Sequence, residues 1–182
     1  MSTYNLIATG LAAAALLGAC ATQMTGSIVP SKGPNLGRAA GAQEIAAWDI
    51  SIPPSGAGLP AGSGSVKQGA AVYAAKCQSC HGEKGAGKPA DPLVGGIGTL
   101  ASPTPIRTVG SYWPYATTLF DYVRRAMPTQ NPMSLSDDEV YAVSAYILNL
   151  NGIVPESAVM NAKTLPQVKM PNRDGFVDYS RK

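Results

Sequence analysis

The sequence predicts an all-α domain of three to four helices packed around one buried prosthetic group, with extended segments at both ends. Three observations predict it. Apolar residues recur at three- and four-residue steps before Cys77 and again after Ser136, the periodicity of amphipathic helices. The region between them is rich in glycine and proline and carries no strand pattern. Finally, Cys77-Gln-Ser-Cys80-His81 sets an imidazole directly after a pair of closely spaced thiols.

That pentapeptide has the chemistry of covalent haem attachment. Each thiol can form a thioether with one of the two porphyrin vinyl groups, and the adjacent imidazole then reaches the iron from one side. His81 is the only histidine among the 182 residues, which excludes bis-histidine ligation. A structural zinc site needs about four Cys or His ligands, and the only other thiol is Cys20, in a segment read below as a signal. A thioredoxin-type CxxC opens a helix in a βαβ setting, which the glycine-rich surroundings do not provide. One covalent haem c is therefore expected, with a sixth ligand other than histidine or an open position.

Length and composition allow one compact domain once a signal and the low-complexity stretches are set aside. Charged residues make up only 14% of the chain and the formal net charge is +3, so no nucleic-acid footprint is present.

Taken in order, the N-terminus MSTYNLIATGLAAAALLGAC has an apolar stretch from about Leu6 to Leu17, too short for a comfortable membrane span and suited to an export signal. Leu17-Gly18-Ala19-Cys20 resembles a bacterial lipobox, in which cleavage precedes a cysteine that becomes lipidated. The reading is a signal over residues 1–19, a lipid anchor at Cys20 and a periplasmic location; simple secretion and an uncleaved anchor helix are the alternatives. The n-region lacks Lys and Arg, unlike most such signals. Residues 20–43 are small, polar and aperiodic, as in a flexible tether, and residues 44–178 form the expected haem domain.

Within the domain, Ile45 to Ile52 alternates loosely and is expected to be extended. Val66, Gly69, Val72, Tyr73 and Cys77 fall near one face of a helix that delivers the cysteines. The glycine one turn from Tyr73 offers a notch where a second helix can cross. A glycine-rich loop to about Thr108 follows, then Tyr112-Trp113-Pro114-Tyr115 and a helix from about Thr117 to Ala126 that stops before Pro128. Ser136 with Glu139 reads as a capping box opening the last helix, with Val140, Val143, Ile147 and Leu150 on its apolar face and Gly152 after its end. The tail from Ile153 is expected to wrap over the domain as ordered coil.

Met127 is the better candidate for the sixth ligand, because a thioether on a turn between CxxCH and the last helix can face the iron opposite His81. Met133 is the alternative, but it lies three residues before the Ser136 cap, leaving little chain to cross the haem face. Met160 and Met170 follow the last helix and read as packing or surface residues. A metal-bound imidazole usually gives its other N–H to a carbonyl, and Pro92 is placed to offer one. Leu93 and Gly95, Gly96 and Gly98 would let the loop hug the porphyrin edge. Tyr112, Trp113 and Tyr115 either flank the haem and its propionates or are plain core aromatics. Arg124 and Arg125 either ring the haem edge or are solvated.

The motif order resembles a class I cytochrome c. More narrowly, Ala47-Trp48-Asp49-Ile50, Leu59-Pro60, Gly62-Ser63-Gly64, the run from Gly110 to Leu119, Arg125-Ala126-Met127-Pro128, Leu148-Asn149-Leu150-Asn151-Gly152 and residues 170–176 resemble the cytochrome subunits of bacterial molybdenum sulfite dehydrogenases and of the Sox sulfane dehydrogenase. The likeness runs from about Glu44 to Phe176. It implies a class I cytochrome c fold and a subunit that takes electrons from a molybdopterin-containing sulfite or sulfur dehydrogenase and passes them to another cytochrome c or an oxidase. The chain departs from the sulfane dehydrogenase subunit, whose full-length form resembles two haem domains, by having one CxxCH. A haem enzyme with an open sixth position, thiosulfate-oxidising or peroxidase-like, is the alternative. The lack of a second histidine or further thiol for acid–base work at the haem argues against it.

Overall fold

The computed structural model describes residues 37–177 and Tyr179, so the expected signal, the Cys20 anchor and most of the tether lie outside the described residues. The chain divides into two units, Met1–Ile45 and Ala46–Lys182.

Helix α1 spans Ala42–Trp48 and corrects the expectation of an extended segment from Ile45. The Glu44 carboxylate accepts the Gly41 N–H at 2.8 Å and pairs with Arg38, which satisfies the helix start, and the alanines favour the helix. The loose alternation of Ile45 and Trp48 also fits an i, i+3 step, so period alone did not decide. No residue of α1 is buried. Beyond it the chain does extend: Ile52 is buried, and its N–H donates to the Asp121 carboxylate at 2.8 Å.

Strand β1 (Ser63–Ser65) leads directly into helix α2 (Val66–Lys76). The Ser65 side chain accepts the Gln68 N–H and the Gln68 side chain answers to the Ser65 N–H, a reciprocal cap that fixes where the helix begins. A four-residue helix α3 (Gln78–His81) and a single tight turn at Glu83–Gly85 follow. Helix α4 is short (Val109–Tyr112), with Thr108 and Ser111 forming its own capping box. Helix α5 (Ala116–Ala126) stops at Met127, whose backbone turns extended ahead of Pro128. Helix α6 (Asp137–Leu150) opens on the Ser136–Glu139 box and ends where Gly152 takes a left-handed backbone, φ 69°.

Helix α6 is the central element, with Val140, Tyr141, Val143, Ala145 and Leu148 all fully buried or nearly so. Helix α2 crosses it at Gly69, where an added Cβ would fall on the Ala142 carbonyl oxygen, so only a bare α-carbon permits the approach. The Tyr73 and Tyr146 rings meet beside the crossing, 5.4 Å apart. Helix α5 packs on α6 through Phe120 and Tyr141, whose ring centroids lie 4.5 Å apart.

The tail does wrap as ordered chain. Met160, Leu165 and Met170 are buried, so both late methionines are packing residues. Strand β2 (Val159–Asn161) pairs antiparallel with β1, aligning Gly64 with Met160, and adds a two-stranded sheet to the all-α expectation. Three-residue strands are too short to show a two-residue period in the sequence.

Candidate functional site

Helix α2 carries Cys77 at its C-terminal end, and the next turn presents Cys80 and His81 beside it. Gly82 then reverses the chain with φ 73°, where a Cβ would also strike the Gly87 carbonyl. The reversal is held from several sides. Gly87 N–H donates to the His81 carbonyl at 2.7 Å, Ala90 N–H to that of Cys80 at 2.8 Å, and the buried Tyr73 hydroxyl to that of Gly82 at 2.8 Å. Burial pushes the Tyr73 phenol up to about 12, which keeps it a donor at any ordinary pH.

His81 Nδ1 lies 3.0 Å from the Asp91 carbonyl oxygen. A carbonyl only accepts, so Nδ1 carries the proton and Nε2 is the nitrogen left for a metal. The expected carbonyl was that of Pro92. The structure corrects this by one residue, because the turn through Pro92 aims the preceding carbonyl at the ring.

Cys77, Cys80 and His81 line one side of a cavity of about 860 Å³, open volume at its mouth included. Leu119 and Val123 of α5, Val143 and Ile147 of α6, Val109 of α4, Leu93 and Trp113 supply apolar wall, and Met127 and Pro128 complete it from the turn after α5. The lining residues that are themselves exposed, Lys76, Tyr122, Thr129 and Gln130, mark the open side. Gln130 Nε2 comes within 4.0 Å of Cys80 Sγ there.

This donor set fits a covalently held porphyrin. The walls are apolar, as a flat hydrophobic macrocycle requires; two free thiols stand at one side with an imidazole whose second nitrogen is already engaged; and a thioether sulfur is available from another side. The thiols do not have the character of a redox CxxC pair. Burial, and then the neighbouring Cys80, push the Cys77 thiol up to about 11, whereas exchange-active thiols are shifted down.

Of the two sixth-ligand candidates, Met127 lies on the cavity wall, while Met133 is 62% exposed and lines no part of it. Leu93 and Trp113 are wall residues. Pro92, Tyr112 and Tyr115 are not. Tyr112 is taken up by an edge-on contact with Phe176 at 5.3 Å and by Arg107, whose guanidinium is 5.5 Å from the ring. Arg173 covers the Tyr115 ring at 4.4 Å. The tail thus claims both tyrosines of the Tyr-Trp-Pro-Tyr block and leaves its tryptophan to the cavity, where Trp113 meets Tyr122 edge to face at 5.6 Å. Both arginines are ion-paired at the surface of α5, and neither lines the cavity. Arg125 makes two bonds to Asp121, the Nε one at 3.0 Å, and Arg124 pairs with Asp137 at 3.1 Å.

Sequence reasoning assigned no role at the site to Asp91, Lys76, Tyr122 or Asn151. For Tyr122 the helical period of α5 was a sufficient signal, since it follows Leu119 by one turn on the same face. For the others no local signal existed.

Residues 64–147 match the family model described as cytochrome c oxidase, cbb3-type, subunit III. Among solved structures, the chain is similar to the sulfane dehydrogenase SoxCD from Paracoccus pantotrophus, with 44% sequence identity, a TM-score of 0.75 and coverage of 81% of this chain and 73% of that one. No curated protein matches. The fold is that of a class I cytochrome c with a small added sheet, and the cofactor is covalently bound haem c. A haem fixed in an apolar cavity serves electron transfer. Since motif, cavity and structural likeness all converge on one haem-binding architecture, this chain belongs to the cytochrome c family.

Proposed function

We propose that the protein is the electron-accepting subunit of a sulfur-oxidising dehydrogenase. It takes electrons from a molybdopterin-containing sulfite or sulfur dehydrogenase subunit, passes them to another cytochrome c or an oxidase, and does no substrate chemistry itself. The single observation that carries this reading is the 44% identity to the sulfane dehydrogenase SoxCD over 81% of the chain. The site supports it, because His81 and Met127 both line the cavity and would together hold the iron of a bound haem, which would leave a substrate no place on it. In this reading Cys77 and Cys80 would hold the haem through its vinyl groups, Leu93 and Trp113 would exclude water from it, and the haem would supply one-electron chemistry. The protein acts in the periplasm, tethered through a lipidated Cys20.

The test is reduction of the purified haem protein by sulfite, thiosulfate or a sulfane donor, with and without the molybdopterin dehydrogenase of the same organism. The expected result is fast reduction only when the dehydrogenase is present. Reduction at the same rate without it, or rapid carbon monoxide binding by the ferrous protein, would overturn the reading in favour of a haem enzyme with a displaceable sixth ligand.

A further inference from the structure

Asn151 caps the C-terminal end of α6, and its side chain is occupied in an unusual way for a helix-end amide. It is only 8% exposed. Its Nδ2 donates to the Leu93 carbonyl at 3.1 Å and to the Ile147 carbonyl at 2.9 Å, while its Oδ1 accepts the Gly95 N–H at 3.3 Å. Both amide hydrogens are therefore committed, and two of the three bonds leave the helix for the loop that follows the haem-binding turn.

That loop also holds the partner of His81. Asp91, whose carbonyl accepts the Nδ1 proton, is two residues before Leu93, and Leu93 N–H donates to the Gly85 carbonyl at 2.9 Å. The segment from Asp91 to Gly95 is thus stitched on one side to the turn after His81 and on the other to Asn151. A third element holds the amide in place. Gly110 of α4 lies so close that a Cβ there would fall on Asn151 Oδ1, and the Thr108 hydroxyl donates to the Gly95 carbonyl at 2.7 Å. With positive φ angles at Gly95, Gly96 and Gly98 among others, the loop has little regular structure of its own to fix it.

We propose that Asn151 is a positioning residue for the axial imidazole, fixing the Asp91 carbonyl against His81 through the Leu93–Gly95 segment. The ring orientation and basicity of a metal-binding histidine follow the acceptor on its second nitrogen, so a clamp on that acceptor acts on the haem from a distance. The inference rests on the haem site alone and stands or falls independently of the electron donor.

The experiment follows hydrogen–deuterium exchange of the His81 Nδ1 proton by NMR in the reduced, diamagnetic holoprotein, with the Val140 and Val143 amides as reporters of the core. Asn151→Asp keeps an acceptor for Gly95 N–H but removes both donated bonds. Gly110→Ala dislodges the amide while leaving Asn151 chemically intact. Each is expected to speed Nδ1 exchange by about tenfold, the scale of a lost hydrogen bond, while the core amides exchange at the wild-type rate. Asn151→Ser, a smaller change at the helix end, carries the same expectation where either variant fails to retain haem. Unchanged Nδ1 exchange, or exchange that rises only in step with Val140 and Val143, would overturn the proposal.

Discussion

The bare α-carbon of Gly69 rests against the backbone of Ala142, with no room between α2 and α6 for even one methyl group. Helix α2 ends in Cys77 and α6 supplies Val143 and Ile147 to the cavity, so this crossing sets the width of the haem site. Gly69→Ala is expected to cost about 3 kcal/mol or more, because the obstruction is backbone rather than a flexible side chain. Denaturant unfolding of the holoprotein measures it. A cost below about 1 kcal/mol would mean the helices separate freely.

The methionine assignment is open to spectroscopy. Oxidised cytochromes with sulfur bound to iron show a weak charge-transfer band at the red end of the visible spectrum. Met127→Ala is expected to abolish it and to lower the reduction potential by on the order of 0.1 V, a fraction of the ~0.8 V that axial ligands control. Met133→Ala should leave both unchanged, since that side chain is exposed and away from the cavity. Loss of the band in Met133→Ala alone would reverse the assignment.

Asp121 fastens the segment before β1 to α5, accepting from Ile52 N–H and from Arg125. Burial by itself raises its pKa, but the Arg125 guanidinium and the Ile52 amide outweigh it and hold the carboxyl below its ordinary value. A carboxyl depressed in the folded state stabilises above its unfolded pKa of about 3.9, and the contribution is lost as pH falls through the folded value. The gap in thermal midpoint between the wild type and Asp121→Asn should therefore be widest near neutrality and close once the pH is well below about 4. A gap independent of pH would show that the charge contributes nothing.

Each thioether saturates one vinyl group and shortens the conjugated system. Cys77→Ser and Cys80→Ser should each yield a singly attached haem whose α band in the reduced state is shifted to longer wavelength. The double variant should release its haem under denaturing electrophoresis. Retention of stainable haem by the double variant would rule out attachment at these two thiols.

What could be read from the sequence was what is local. The Ser136–Glu139 box, the stop at Met127 before Pro128 and the glycine notch at Gly69 each depend on residues within one turn, and each stands where expected. Helix α1 was missed because its start depends on the Glu44 side chain reaching Gly41, which a hydrophobic pattern does not register. The β1–β2 pair joins segments from opposite ends of the domain, and nothing in either triplet announces the other. The shift from Pro92 to Asp91 was a matter of backbone direction in an irregular loop. Tyr112 and Tyr115 were assigned by their proximity in sequence to Trp113, yet distant tail residues, Phe176 and Arg173, decided which rings face the cavity.

The β1–β2 pairing has a consequence for biosynthesis. As the chain emerges from a ribosome or a translocation pore, the thiols of Cys77 and Cys80 arrive before the partner strand and before the buried Met160, Leu165 and Met170. Those sulfurs therefore exist before the residues that complete the sheet and fill this part of the core, so binding of the pigment and closure of the fold are separable in time.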